Sequence, residues 1–393
     1  MDQRFLLLGK VVALRQEVEA VQSSLNKMPP AFASKIRGQL AKTFADTLKR
    51  LVALEEQVAS DPSGASLSLS WTNFYERRKE CDPLFDECLI LAQGAALRQS
   101  GLDGGLCLIA DCLLKEISED TPVSWDRFTI PARGEAFSKV PRVIRIHFPE
   151  ASIWHLPVAV HEFGHFAAPL LEHEEHGQTV YPLREMLDNT KDANARAYLN
   201  EQIGDLFATY VAGPAYACTC LLLRFDPREA HTKWVDHPSD AQRAHAILRA
   251  LQKLDVTPGK ISRPFTDIAS MLCESWVASL AAAYQPPVEK KLSASEMKAL
   301  EDETDRLSGM VSDELPDARY TMENWWEAEK LASQLAAKSS LPDPAGRQIV
   351  DVLNAAWIAR MKAIKGNGSE LFHIGKRALD LCAAIAASEG VGQ

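Results

Sequence analysis

Residues 161–165 read His-Glu-Phe-Gly-His, and this H-E-x-x-H stretch constrains the fold more than any other part of the chain. Residues i and i+4 lie on one face of an α-helix, so His161 and His165 point the same way if the segment is helical. Two imidazoles at this spacing can both bind one Zn²⁺, and the adjacent Glu162 is then placed to activate a water at the ion. A catalytic zinc needs a third protein ligand and an open fourth position. The motif therefore predicts a third ligand elsewhere in the chain.

The residues around the motif predict a buried helix that follows a strand. Val143–Phe148 alternates apolar with basic residues, which is typical of a half-exposed strand. Apolar residues then dominate the segment from Trp154 to Ala167. Two histidines and a glutamate on a buried helix need partners that offset their desolvation, and a metal ion supplies them. The strand is also a candidate edge for pairing with an extended peptide.

A pair of acidic residues follows the motif after thirty-five intervening residues. Glu201 and Asp205 are four positions apart, so they share one face if the segment is helical. Glu201 can complete a His₂Glu ligand set, and Asp205 can accept a hydrogen bond from the outer nitrogen of a ligand histidine. The alternative is a solvated acidic pair at the start of a helix, where glutamate is favoured. The preceding motif and the apolar residues that follow favour the metal site.

The two motifs together resemble those of the gluzincin metallopeptidases, which pair H-E-x-x-H with a later E-x-x-x-D. Within that group the chain looks most like peptidase family M48, the Ste24 and HtpX type. The second motif of that family runs E-x-x-x-D-x-x-A and soon reaches a glycine, and the chain has Ala208 and Gly213-Pro214 at these places. The family also tends to carry a later His-Pro with an arginine six residues past the histidine, as in His237-Pro238 and Arg243. The resemblance covers about residues 140–250.

The resemblance implies a role for each of the residues in the first two motifs. Zn²⁺ would be held by His161, His165 and Glu201, and it would polarise the scissile carbonyl. Glu162 would take the proton of the attacking water and hand it to the leaving amine. Asp205 would fix the orientation of a ligand histidine through a hydrogen bond.

A developing oxyanion needs one further hydrogen-bond donor. His237 is the first candidate for this role, with Arg243 either supporting it or pairing with a nearby carboxylate, and His231 is the alternative donor. His237-Pro238 can equally be a turn at the start of a helix. A further group of histidines and glutamates, Glu172–His176, follows a proline at the end of the motif helix, and it predicts a solvated loop rather than a metal site.

Charge and cysteine content limit the classes of partner. The formal net charge of −10 argues against non-specific binding to nucleic acid or to an anionic membrane. The eight cysteines include no C-x-x-C pair, and the chain has no evident export signal, so we expect reduced thiols and a cytoplasmic location. The longest apolar run, Leu206–Leu223, is interrupted by Gly213-Pro214. It predicts a buried helix, a break and a second buried segment rather than a membrane span.

Hydrophobic periodicity predicts an α+β chain that is predominantly helical. Residues 1–60 are expected to form a helical hairpin and residues 260–393 a helical domain. The resemblance implies that residues 61–259 form a zincin-like core, made of a small sheet and the active-site helices.

The leading hypothesis for function is a cytoplasmic zinc metallopeptidase that hydrolyses a peptide or protein substrate. No nucleic-acid partner and no membrane are expected, and the flanking helices are candidates for binding a protein partner. The alternative is a helical interaction or sensor protein that retains a zincin scaffold with little or no hydrolytic activity. A zinc hydrolase that acts on a non-peptide amide is a third option.

Overall fold

The chain divides into two compact units in the computed structural model. The structure describes residues 3–28, 30–60, 66–125, 128–134, 136–138, 143–147, 152–175, 177–235, 237–255, 263–337, 340–363 and 368–388. The first unit comprises residues 1–104, 130–134 and 138–149, and the second comprises residues 105–129, 135–137 and 150–393. The division into residues 1–60, 61–259 and 260–393 stays a prediction, because compactness alone does not test which regions fold independently.

Long helices make up most of the first unit. They are α1 (Gln3–Leu25), α2 (Pro30–Ser60) and α3 (Leu67–Gln99). The apolar residues of α1 recur every three or four positions, so they fall on one face and become buried. The first two helices run antiparallel, because Arg4 at the start of α1 donates a hydrogen bond of 3.1 Å to the carbonyl of Val58 near the end of α2.

Short strands account for the extended part of the described chain. They are β1 (Thr129–Ala132), β2 (Ala136–Ser138), β3 (Val143–His147), β4 (His173–Glu175) and β5 (Gln178–Val180). The first three form a sheet in the order β1-β3-β2. The predicted strand 143–148 is found as β3, in which Val143, Ile144 and Ile146 are buried, whereas Phe148 lies outside the described residues.

The segment 172–176 differs from its predicted form. It was expected to be a loop, but His173–Glu175 forms β4, which pairs antiparallel with β5. The side chains of β4 are exposed, so hydrogen bonds between the two backbones define this hairpin rather than a buried face. The chain turns at Gly177, whose φ of 78° favours glycine. His176 lies outside the described residues.

The second unit contains the remaining helices. They are α4 (Leu106–Glu119), α5 (Pro157–Ala167), α6 (Pro182–Asn189), α7 (Ala193–Ala212), α8 (Pro214–Thr219), α9 (Asp240–Gln252), α10 (Pro264–Ala282), α11 (Val288–Lys291), α12 (Ala294–Glu314), α13 (Met322–Ala336), α14 (Ile349–Lys362) and α15 (Gly368–Ser388). The predominantly helical chain with a small sheet, expected from the sequence, is therefore confirmed.

The apolar run 206–223 folds as predicted into two buried segments. The first is the end of α7 and the second is α8, which continues into a short π-helix at Cys220–Arg224. Gly213 separates them with a φ of 60°, and a Cβ at this position would overlap the ring of Tyr320. Pro214 then begins α8, where its missing N–H is tolerated. Over the described residues, each helix falls short of the length or the apolar character that crossing a bilayer requires.

Helix α7 lies at the centre of the second unit and contacts α5, α9 and α12. Its first turn is capped by Asp192, whose Oδ1 accepts a hydrogen bond of 2.7 Å from the backbone N–H of Ala195. Trp125 packs edge-on against Phe163 and Phe166 of α5. These contacts fix α5 and α7, the two helices that carry the motifs.

Candidate metal centre

Helix α5 presents both histidines of the first motif on one side. Its residues are almost all buried, as the apolar segment predicts, and His161 itself is 4% exposed. The rings of His161 and His165 lie edge to face, with their centroids 4.6 Å apart. One helical turn therefore delivers two imidazoles to the same place.

Helix α7 places a carboxylate against both imidazoles. Oε2 of Glu201 lies 3.4 Å from Nε2 of His161, and Oε1 of the same carboxylate lies 3.4 Å from Nε2 of His165. One ligand atom from each of the three residues lies within 4.8 Å of the others, so the group could hold a metal ion. Two histidines and one carboxylate are a set of three that leaves a fourth position open, as in catalytic zinc sites.

The close approach of α5 and α7 depends on two glycines for which the sequence analysis predicts no role. A Cβ at Gly204 would lie 2.8 Å from Cε1 of His161 and 3.0 Å from Cε1 of His165. A Cβ at Gly164 would lie 3.1 Å from the ring of Phe207. The distance at Gly204 leaves no room for a Cβ, and at Gly164 a Cβ would push Phe207 away by a few tenths of an ångström. Both glycines therefore favour the close approach of the opposite helix. The visible signal was their place inside the two motifs, Gly164 between His161 and His165 and Gly204 between Glu201 and Asp205.

The outer nitrogen of His161 is held by a buried polar network. Nδ1 lies 3.1 Å from Oδ1 of Asp205 and 3.0 Å from the hydroxyl of Tyr216. Tyr216 in turn donates a hydrogen bond of 2.6 Å to the same Oδ1. Both acceptors can take the proton on Nδ1, which leaves the Nε2 lone pair directed at the other ligands. Tyr216 was missed because it lies beyond the break at Gly213, on the next helix.

Arg243 neutralises the aspartate of this network. Its Nε donates to Oδ2 of Asp205 at 2.9 Å, and its Nη2 donates to Oδ1 at 2.7 Å, so the pair is bidentate. Of the two roles predicted for Arg243, pairing with a nearby carboxylate is the one that the contacts match. The predicted solvated acidic pair at a helix start does not occur, because Asp205 is fully buried in the middle of α7.

The environment shifts the pKa values of these groups. Burial raises the pKa of Asp205, but the charge and the hydrogen bonds of Arg243 outweigh it and hold the pKa well below its usual range. Burial likewise opposes ionisation of Glu201, and hydrogen bonds from His161 and His165 reverse that effect and lower its pKa. For His161, burial lowers the pKa, whereas hydrogen bonds to Asp205 and Glu201 raise it to about 9. Without a metal, a proton on His161 thus compensates the carboxylates.

The outer nitrogen of His165 has a partner of a different kind. Its Nδ1 lies 3.0 Å from the side-chain amide of Asn200, the residue that precedes Glu201 on α7. A side-chain amide can donate through nitrogen or accept through oxygen. The atom facing Nδ1 is the amide nitrogen, Nδ2. When Nε2 of His165 serves as a ligand, Nδ1 carries the proton, and the amide must turn its oxygen toward it. No pattern in the sequence predicts a role for Asn200.

The charges of the site fit a divalent cation. Glu201 belongs to the group, Asp205 contacts it and Glu162 adjoins His161 in sequence, and Arg243 is the cation paired with Glu201 and Asp205. With neutral histidines, two negative charges remain in a mainly buried place, where unpaired charge is costly. One divalent ion balances them. Glu162 is 7% exposed and, among the described residues, is in no hydrogen bond or ion pair.

Each of the two histidines considered as oxyanion donors has a backbone carbonyl as a partner. Nδ1 of His237 is 3.0 Å from the carbonyl of Pro238, and its ring lies 5.4 Å from that of Trp234. Nε2 of His231 is 2.7 Å from the carbonyl of Pro286. His237-Pro238 directly precedes Ser239, which caps α9 in a capping box. A donor role for His237 or His231 stays a prediction.

No family model, curated protein or solved structure matches this chain.

Proposed function

We propose that the chain is a zinc-dependent metallopeptidase of the gluzincin type, similar to family M48, with a zincin-like core around α5 and α7. The observation that carries the proposal is the convergence of both Nε2 atoms on the carboxylate of Glu201, 3.4 Å away in each case. Support comes from the outer nitrogens, each of which already has a polar partner of its own.

His161, His165 and Glu201 would hold the ion. A zinc ion bound there would act as a Lewis acid, which lowers the pKa of water and polarises a carbonyl. Asp205 and Tyr216 keep the proton of His161 on Nδ1, and Arg243 keeps Asp205 ionised. These residues therefore set the tautomer and the charge of the ligands before substrate arrives.

Glu162 supplies the acid–base chemistry. It follows a ligand histidine on α5, it is buried, and no protein group among the described residues engages its carboxylate. A carboxylate in that state can accept the proton of the attacking water and deliver it to the amine that leaves. Peptides or proteins are the substrates proposed, because amide hydrolysis makes use of both proton transfers.

The test compares the parent protein with Glu162→Gln, which keeps the shape of the side chain but removes the base. The exposed Glu274→Gln, on α10, is the matched control. Zinc content is measured by mass spectrometry of the purified proteins, and cleavage is measured by mapping new N-termini in a proteome digest. We expect all three to bind zinc and Glu162→Gln alone to lose cleavage. Equal cleavage by Glu162→Gln and the parent would sink the mechanism.

The interaction or sensor protein is the other outcome of the same experiment. Absence of zinc in the purified chain, or zinc held by a fourth protein ligand, would favour a retained scaffold over an enzyme.

A further inference from the structure

The second unit contains a cavity that is separate from the metal-binding group. The cavity has a volume of about 340 Å³. It is bounded by α7, by the end of α9 with the following turn 253–255, by α12 and by the segment after α12. The volume falls within the range of about 300–1,000 Å³ that is usual for small-molecule sites.

The cavity and the metal-binding group lie on different sides of α7. Tyr210, which lines the cavity, comes nine residues after Glu201, and nine residues are two and a half turns of helix. Leu206, the other α7 residue of the lining, directly follows Asp205 and points elsewhere around the helix. The cavity is therefore separate from the proposed catalytic site.

Most of the lining is apolar and fixed by the core. The apolar wall consists of Leu206, Tyr210, Ala250, Leu254 and Val311, all of which are buried. The backbone N–H of Tyr320 donates a hydrogen bond of 2.9 Å to the carbonyl of Tyr210, which ties the segment after α12 to α7. The space is thus bounded by well-packed elements and can receive an apolar body.

Polar groups occur at one part of this lining. Arg319 is half-buried and, among the residues the structure describes, takes part in no ion pair. Oγ of Ser308 is buried and has no hydrogen-bond partner in the described chain. Lys253 is a second cation of the lining, but it already pairs with Asp305 at 2.8 Å. The guanidinium of Arg319 thus remains for a ligand.

We propose that this cavity binds a small amphipathic carboxylate, with its apolar body against α7 and its carboxylate on Arg319. A guanidinium can donate two parallel hydrogen bonds to one carboxylate. Burial is the largest cause that raises the pKa of Tyr210. The protein carboxylates of Asp313 and Asp317 also lie near enough to raise it. Asp313 and Asp317 are both exposed, so water and salt screen their charges more strongly than the charge of the half-buried Arg319 guanidinium.

Octanoate, octanol and octylamine are suitable probes, because they share an apolar chain and differ in the charge of the head group. Binding to the full-length protein is measured by titration calorimetry. We expect saturable binding of octanoate, with octanol and octylamine at least about tenfold weaker. No saturable binding of octanoate, or octylamine binding as tightly, would overturn the proposal.

Gly309 allows the cavity to be filled without disturbing its walls. It lines the cavity, and a Cβ built on it meets no atom within 4 Å. Gly309→Phe should abolish octanoate binding, whereas Gly309→Ala, the matched control, should retain it. Unchanged binding by Gly309→Phe would contradict the assignment.

Arg319→Gln tests whether the guanidinium binds the carboxylate head group. The result does not depend on whether Gly309→Phe folds. It should weaken octanoate at least about tenfold and leave octanol unchanged. Arg306→Gln, which changes an exposed arginine of α12 outside the lining, should alter neither. Octanoate binding that survives Arg319→Gln would sink the proposal. The readout is binding, so the result does not depend on whether the chain hydrolyses peptides.

Discussion

The hydroxyl of Tyr216 donates a 2.6 Å hydrogen bond to Oδ1 of Asp205, and both side chains are buried. The two residues lie eleven positions apart on different helices, with the break at Gly213 between them. Together they form the acceptor surface that faces Nδ1 of His161. The orientation of a metal-ligand candidate therefore depends on a residue outside both sequence motifs.

Tyr216→Phe should lower the zinc affinity by about tenfold, at the lower end of the effect usual for partners of ligand histidines. The loss is modest because Oδ1 of Asp205 still lies 3.1 Å from Nδ1 of His161. Competition with a chromogenic chelator measures the affinity. Tyr210→Phe is the control, since it also removes a hydrogen-bonded tyrosine hydroxyl of the same unit. A similar loss in both variants would count against a specific role for Tyr216.

Gly204→Ala should destabilise the protein and reduce its metal content. The added Cβ would lie 2.8 Å from Cε1 of His161, so α5 and α7 must move apart. Overpacking of this kind usually costs about 1–3 kcal/mol. Gly309→Ala is the matched control, because its Cβ meets no atom within 4 Å and alanine favours helix by about 1 kcal/mol. Denaturant unfolding of the two variants should therefore give changes of opposite sign, and a stable, zinc-loaded Gly204→Ala would contradict the packing argument.

Arg243→Gln should cost about 3 kcal/mol of folding free energy in the metal-free protein, the lower end of the range for a broken buried pair, because Asp205 loses its bidentate partner but keeps protonated His161 at 3.1 Å. The double variant Asp205→Asn/Arg243→Gln should cost less than the sum of the two single changes, since neither partner then keeps an unpaired charge. Urea unfolding of the four proteins measures the coupling. Additive losses would mean that the two side chains do not act as a pair.

Much of the fold could be read from local patterns. The spacing of apolar residues predicts the helices of residues 1–60, and the run 206–223 with its Gly-Pro break predicts α7 and α8. The hairpin β4–β5 was missed because its exposed strands carry no apolar alternation. Pairing of such strands depends on backbone hydrogen bonds, which the side-chain pattern does not reveal.

Part of the candidate site could likewise be predicted from local patterns, and part depends on tertiary packing. Spacing on a single helix brings His161 to His165, and Glu201 to Asp205, so both pairs could be predicted from the sequence. Their approach to each other depends on helix packing, and so do the partners of the outer nitrogens, Tyr216 and Asn200. For Arg243 the sequence left two roles open, because the choice depends on the distance to a carboxylate on another helix.

Asp351 lies in the first turn of α14. Burial raises its pKa from 3.8 to about 6 and outweighs a hydrogen bond from Asn324, which lowers the pKa. The folded protein therefore holds a proton that the unfolded chain releases, and the free energy of unfolding should fall as pH rises from about 4 to about 6.

Asp351→Asn removes the cost of charging this buried group. At pH 7.5 we expect the variant to be more stable than the parent by roughly 1–2 kcal/mol, after allowance for partial exposure and for the helix N-terminus, which favours the carboxylate. At pH 4.5 most of the gain should vanish. Urea unfolding at both pH values checks this, with Asp313→Asn as an exposed control. A gain of equal size at both pH values would mean that the carboxyl of Asp351 does not change its charge within this range.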